Sequence, residues 1–244
     1  MAVTVEFEKY TVTARIDRPG AMNAINFEVM DKLEALLDKL ESNTELRLFI
    51  LTGSGKSFIS GGDLKEFHQI KDAEGARVMS NRMLTILQRI EKLPCWTLAA
   101  VNGHAYGGGW EIMLSLDFRV ATSSAKFGFT QGKFYLPPGW GGLTRLSQTV
   151  GKELANYWLA SQTVIDSDKA LQSGLIQDRF DDDEYGAQLS LLKKKLILND
   201  RHFIEHLKRA APGNIMDELE PFSRFWESEE HLKRVNKFLN RKSE

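Results

Sequence analysis

The chain has 244 residues, and its 32 Lys+Arg against 33 Asp+Glu leave a formal charge of −1. That length allows one large domain, or one domain with an extension, and buries enough surface to need neither disulfide nor metal staples. Near-neutral charge argues against nucleic acid or a membrane surface as the main partner, and a single cysteine, Cys95, excludes an internal disulfide framework and fits a reducing, cytoplasmic setting.

The start, MAVTVEFEKYTVTARIDRP, lacks the basic-then-apolar layout of a signal segment, and no apolar run reaches the roughly 20 residues that span a bilayer. Val3, Val5 and Phe7, then Tyr10, Val12, Ala14 and Ile16, alternate as half-buried strands do. Arg18-Pro19-Gly20 breaks them. Asn26 caps a predicted helix from Phe27 to about Glu41, whose Met30, Leu33, Leu36, Leu37 and Leu40 form one apolar stripe. Leu46 to Thr52 reads as a buried strand ending in Gly53-Ser54-Gly55. The pair Gly61-Gly62 follows, then a helix over Ala73 to Lys92 that Pro94 closes.

Trp96 to Val101 is the next buried strand, leading to Asn102-Gly103 and the run Gly107-Gly108-Gly109. Trp110 to Leu116 is predicted helical and Phe118 to Ala121 extended. Strand, glycine-rich turn and helix thus occur twice, which implies an α/β fold, although the two units share no sequence period. After Gly151 the pattern predicts helices at Lys152 to Ala160, Ser167 to Gln172, Tyr185 to Leu198, Arg201 to Ala210 and Pro221 to Leu239. The expected organisation is a catalytic core over 1–185 and a helical extension over 186–244. Phe222, Phe225, Trp226 and Phe238 suit that extension to docking on the core or on a neighbouring subunit.

Two motifs are declined. Gly53-Ser54-Gly55-Lys56-Ser57 follows a strand like the end of a phosphate loop, but Ile50 stands where that loop needs a further glycine, so it reads as a surface turn. His202-Phe203-Ile204-Glu205-His206 has the spacing of a zinc motif but lies in the charged helical segment without a third ligand, so it reads as a solvated helix face and no metal is expected. Lys193-Lys194-Lys195 is offset by Asp181-Asp182-Asp183-Glu184 upstream and reads as a mixed-sign surface.

The informative features are two glycine turns, Ser60-Gly61-Gly62-Asp63-Leu64-Lys65 and Gly107-Gly108-Gly109-Trp110-Glu111. Without a Cβ, a glycine lets its N–H approach a ligand oxygen, and a helix N-terminus adds unpaired N–H groups. Two such turns, if they converge, make an oxyanion hole; if not, they merely permit tight packing. From composition alone both readings stay open.

Four blocks extend these turns: RPGAMNAI from Arg18, FISGGDLKE from Phe58, VNGHAYGGGWEIMLSLDFRVATSSAKFGF from Val101 and PPGWGGLTRL from Pro137. In that order, over roughly Val5 to Phe180, the chain resembles the enoyl-CoA hydratase/isomerase (crotonase) superfamily. The resemblance implies a coil of strand–strand–helix units with C-terminal helices that build homotrimers or hexamers. It implies acyl-CoA thioester substrates, with no cofactor beyond the CoA carried by the substrate itself. A thioester enolate would be held by the amides of Gly62 and Gly108, while Ser60, Asp63, Leu64 and Lys65 would contact CoA with the backbone of Ala21 against it.

The resemblance also exposes a departure. Family hydratases set two glutamates around a water; the first matches Glu111, whereas the second position holds Gln131, an amide that cannot ionise. Hydration with Glu111 alone, isomerisation with Glu111 as the shuttling base, and decarboxylation needing no base all remain open. Pro138-Gly139-Trp140-Gly141-Gly142 also resembles decarboxylases of the methylmalonyl- or ethylmalonyl-CoA type. Trp110 and Trp140 are candidate walls of an acyl pocket, and His68 and His104 gain no role from their spacing. A non-catalytic assembly or RNA-binding role is the alternative from another class; the intact glycine turns and neutral charge count against it.

Overall fold

A computed structural model describes residues 2–210 and 215–240. In chain order it contains β1 (Val3–Phe7), β2 (Thr11–Ile16), α1 (Phe27–Ser42), β3 (Leu48–Gly53), β4 (Ser57–Ile59), α2 (Leu64–Phe67), α3 (Ala73–Lys92), β5 (Trp96–Val101), β6 (His104–Tyr106) and α4 (Gly108–Met113). There follow β7 (Phe118–Thr122), β8 (Lys126–Gly128), α5 (Gly142–Val150), α6 (Lys152–Ser161), β9 (Val164–Asp166), α7 (Ser167–Gln172), β10 (Asp178–Phe180), α8 (Tyr185–Leu196), α9 (Arg201–Arg209), α10 (Leu219–Trp226) and α11 (Glu229–Asn240).

The strands form two sheets, a larger one in the order β1-β2-β3-β5-β7-β10 and a smaller one in the order β4-β6-β8-β9. Successive units of the coil send their first strand to the larger sheet and their second to the smaller: β3 then β4, β5 then β6, β7 then β8. Pairing from β2 through β10 is parallel in the larger sheet, and only β1 runs antiparallel there. This is the α/β coil that the resemblance implies.

The central strands are buried on both faces, as parallel strands between helices must be. From β3, Phe49 and Leu51 join the main core, where α1 contributes Val29, Met30, Leu33, Leu36, Leu37 and Leu40 and α3 contributes Met83, Ile86, Leu87 and Ile90. The alternate residues Leu48 and Ile50 face a second cluster with Leu98, Ala100 and Val120, covered by Tyr185, Leu189, Leu192 and Leu196 of α8. Asn26 caps α1 by accepting from the Val29 N–H at 3.0 Å, as the sequence predicts.

Three expectations change. The segment after Gly151 is not wholly helical: β9 pairs antiparallel with β8, and β10 pairs parallel with β7. Each has three residues, too few to display alternation. The single helix predicted over Pro221 to Leu239 is two helices, because the Ser228 hydroxyl accepts from the His231 N–H and starts α11. The helix predicted from Trp110 begins at Gly108 and ends at Met113.

Among the described residues, the first compact unit runs past the expected break at 185/186 as far as Lys208, and those from Arg209 onward belong to a second. Besides the α8 stripe, the Arg47 guanidinium donates to the Ile197 carbonyl at 3.0 Å, Lys193 pairs with Glu8 at 2.8 Å, and Ile204 is buried. Among the described residues no helix is long and apolar enough to cross a membrane.

Candidate active site

The first glycine turn leaves the end of β4 and is pinned to the loop before α1. Ile25 donates to the Gly61 carbonyl at 2.8 Å and accepts from the Asp63 N–H at 2.7 Å. Both bonds of this parallel bridge are made by the neighbours of Gly62, so the Gly62 N–H itself points away from Ile25. Asn23, fully buried at φ +58°, donates to the carbonyls of Ser54 and Ser57 at 2.8 and 2.7 Å and ties the same loop to β4.

The second turn follows β6 and opens α4, with Gly108 as the first helical residue. Gly61 has φ +112°, and a Cβ built on it would lie 3.1 Å from the Gly108 nitrogen. The two turns therefore abut, and side chains are excluded where they meet. Among the described residues, neither the Gly62 nor the Gly108 N–H has a hydrogen-bond acceptor in the protein.

One helical turn into α4 sits Glu111, 2 % exposed. Its Oε2 accepts from the main-chain N–H of Trp140 at 2.8 Å and of Gly142 at 2.9 Å, and its Oε1 accepts from Gln131 Nε2 at 3.2 Å. Gln131 opens a short 3-10 turn, Gln131–Phe134, and its Oε1 accepts in turn from Trp110 Nε1 at 3.2 Å. Burial pushes the Glu111 carboxyl above the ordinary range, against the pull of its hydrogen-bond donors.

The other residues singled out in the sequence are placed as follows. Asp63 caps α2 by accepting from the Lys65 N–H at 3.0 Å and pairs with Arg18 at 2.8 Å; that guanidinium draws its carboxyl below the usual range. The Ser60 hydroxyl reaches toward the Ala21 carbonyl at 3.4 Å. Leu64 and Lys65 line a cavity of about 620 Å³ together with His68, Gln69, Phe134 and Leu136. The Trp140 indole lies over both glycine turns: a Cβ on Gly62 would meet its Cη2 at 3.5 Å, and one on Gly108 would overlap its six-membered ring. Trp110 is fully buried beside Phe129, and His104 stacks on Tyr106, apart from this cluster.

Residues 6–231 match the family model described as enoyl-CoA hydratase/isomerase. The chain belongs to the enoyl-CoA hydratase/isomerase family. Among relatives, it is 34% identical over 200 residues to the short-chain-enoyl-CoA hydratase of Clostridium acetobutylicum, covering 81% of this chain and 76% of that protein. It is 31% identical over 219 residues to the crotonyl-CoA hydratase of Syntrophomonas wolfei, covering 89% and 84%. Its fold is similar to the crystal structure of an enoyl-CoA hydratase from Bacillus anthracis, with TM-score 0.89 and 25% identity over 99% of this chain and 97% of that one. It is similar also to Pseudomonas aeruginosa DspI, with TM-score 0.89 and 27% identity over 98% and 94%.

As an acyl-CoA enzyme of the hydratase/isomerase family, the chain is notable for what surrounds Glu111. Gln131, at the position where the resemblance leads one to expect a second acid, supplies an N–H donor to Glu111. Three features of this region have no signal in the sequence: the Arg18 partner of Asp63, the Asn23 tie, and His68 in the cavity wall. Arg18 and Asn23 both lie in the Arg18-to-Ile25 block, so the block itself was visible while the partners of its side chains were not.

Proposed function

We propose that the protein hydrates short 2-enoyl-CoA thioesters through an enolate, with Glu111 as its one acid–base group. The observation that carries this reading is the abutment of the two glycine turns at Gly61 and Gly108, with the Gly62 and Gly108 N–H groups unpaired among the described residues and a buried carboxylate one helical turn on. The thioester oxygen would accept from both amides. As water adds to the β-carbon, one of its protons passes to Glu111, and negative charge gathers on that oxygen, where fixed dipoles stabilise it without reorganising. Glu111 then returns the proton to the α-carbon. The raised affinity of its carboxyl for a proton suits a group that must both take and give one near neutral pH.

We assign Lys65, which lines the cavity beside Leu64, to a CoA phosphate, and Ser60 with the Ala21 backbone to the rest of the CoA arm. A short acyl chain is supported by Trp140 closing over the glycines and by the relatives named for short-chain and crotonyl substrates. A trimer or hexamer fits the exposed Phe222, Trp226 and Leu232 of the second unit, and sedimentation of the purified protein reads it. The lone thiol at Cys95 suits a reducing compartment.

The test is hydration of crotonyl-CoA by purified protein, followed by loss of the conjugated thioester absorbance. Glu111→Gln should lower the rate by about 10²–10⁴-fold. A rate that survives the substitution, or no hydration by the intact protein, overturns the reading. One observation favours a second reaction: Gln131 is an amide donor at the second acid position. Decarboxylation of a malonyl-type thioester generates the same enolate by losing CO2, and needs an oriented carboxylate rather than a base. Release of CO2 from methylmalonyl- or ethylmalonyl-CoA, without crotonyl-CoA hydration, would put that reaction first.

A further inference from the structure

Trp110 neighbours Glu111 on α4, and its indole is wholly buried with the Phe129 ring at 5.0 Å. An indole N–H donates and never accepts. The Gln131 atom facing Trp110 Nε1 at 3.2 Å is therefore the carbonyl oxygen. With that end of the amide committed, the NH2 end is turned to Glu111 Oε1, also at 3.2 Å. Two consecutive residues of one helix thus grip opposite ends of the same side-chain amide. Core packing accounts for the indole ring; it does not account for where the N–H points.

We propose that Trp110 is a positioning residue that holds Gln131 with its NH2 toward Glu111, so that the carboxylate at 111 meets a donor and its ionised form is favoured over what a reversed amide would allow. This deepens the proposed function and rests on it for the part Glu111 plays in turnover. Without the indole donor, the Gln131 amide is free to turn over, since its two ends are nearly equal in size. Its oxygen would then face Glu111, a contact that only a protonated carboxyl can satisfy. Losing Trp110 therefore favours the protonated acid.

The other titratable groups around Glu111 leave this route distinct. Of the elements packed against α4, β4 brings none, β6 brings His104 and Tyr106, and α5 brings Arg145, paired with Glu91 at 2.6 Å. Lys133 shares the turn that carries Gln131. Among the described residues, the side-chain donor to the Glu111 carboxylate is Gln131, and the remaining donors are main-chain amides.

The experiment is the pH dependence of kcat/KM for crotonyl-CoA hydration in the intact protein, Trp110→Phe, Gln131→Leu and the double variant. Trp110→Phe should move the acid limb up by about one pH unit, which is roughly tenfold in rate on that limb, and Gln131→Leu should do likewise. In the Gln131→Leu background, Trp110→Phe should add no further shift. An unmoved limb, or the same added shift without Gln131, overturns the proposal. Trp110→Phe removes volume from the core, so a second measurement uses the folded wild type. The Trp110 indole ¹H–¹⁵N resonance should titrate with Glu111, and should cease to do so in Glu111→Gln and in Gln131→Leu. A resonance indifferent to pH in the wild type overturns the proposal. Because it needs no turnover, a titrating resonance in a protein that hydrates nothing would refute the proposed reaction while upholding the relay.

Discussion

The Trp140 indole rests on the α-carbon of Gly108, while the main-chain N–H of the same tryptophan reaches Glu111 Oε2 at 2.8 Å. One residue thereby roofs the glycine turn with its ring and anchors the buried acid with its backbone. Disturbance at either contact is transmitted to the other.

Gly108→Ala keeps the amide but adds a methyl that overlaps the Trp140 ring. We expect kcat/KM to fall by about 10²-fold or more, as when an oxyanion donor is displaced. Unfolding in urea should show a loss of about 1–3 kcal/mol from overpacking. Wild-type kinetics in this variant would mean that the ring yields freely and that the roof is not rigid.

Trp140→Ala opens space above Gly62 and Gly108. The ratio of kcat/KM for longer enoyl-CoA chains to that for crotonyl-CoA should rise by at least about tenfold, since each methylene accommodated is worth that much. Steady-state assays over a chain-length series measure it. An unchanged ratio would place the acyl chain elsewhere.

Two carboxyls should give stability opposite dependences on pH. Glu111 binds its proton more tightly folded than unfolded, so its contribution is complete below the ordinary carboxylate range and is lost as pH rises through its folded pKa. Asp63 is shifted the other way by Arg18, so its contribution is present above about pH 4 and is lost as pH falls toward its lowered folded pKa. Urea unfolding across pH should show Glu111→Gln gaining on the wild type as pH rises. Asp63→Asn should lose about 1–2 kcal/mol at neutral pH and little in acid. Parallel pH curves for variant and wild type would contradict either assignment.

Cys95 should be inert in the native protein. It is 1 % exposed, and burial pushes its thiol up to about 12. Labelling by an uncharged thiol reagent should therefore track global unfolding, accelerating with urea as the unfolded fraction does. Rapid labelling without denaturant would reveal a local opening around β5.

Legibility in the sequence followed element length and the kind of constraint involved. The spans of α3 and β5 match their apolar patterns residue for residue, because a long stripe or a buried run can be read without tertiary context. The smaller sheet was hidden. β4, β6, β8 and β9 have three residues each, and their strand character comes from neighbours that the coil brings alongside. At the site, the two glycine turns stood out because close backbone approach restricts residue choice there, while Glu111 was singled out only through the family resemblance. The Trp110–Gln131 contact was not, since it joins residues 21 apart and depends on how the 3-10 turn folds back on α4.

Where Gly61 meets Gly108, the boundary is built of peptide groups alone, so ordinary substitution has little there to modify except by breaking it. The carboxyl and the amide at 111 and 131 are side chains, and exchanging them places no Cβ in that seam. On the proposed mechanism, such a division would let one reaction be traded for another while the means of stabilising the enolate is inherited unchanged. Divergence should then be written in the side chains at 111 and 131 and in the roof above them.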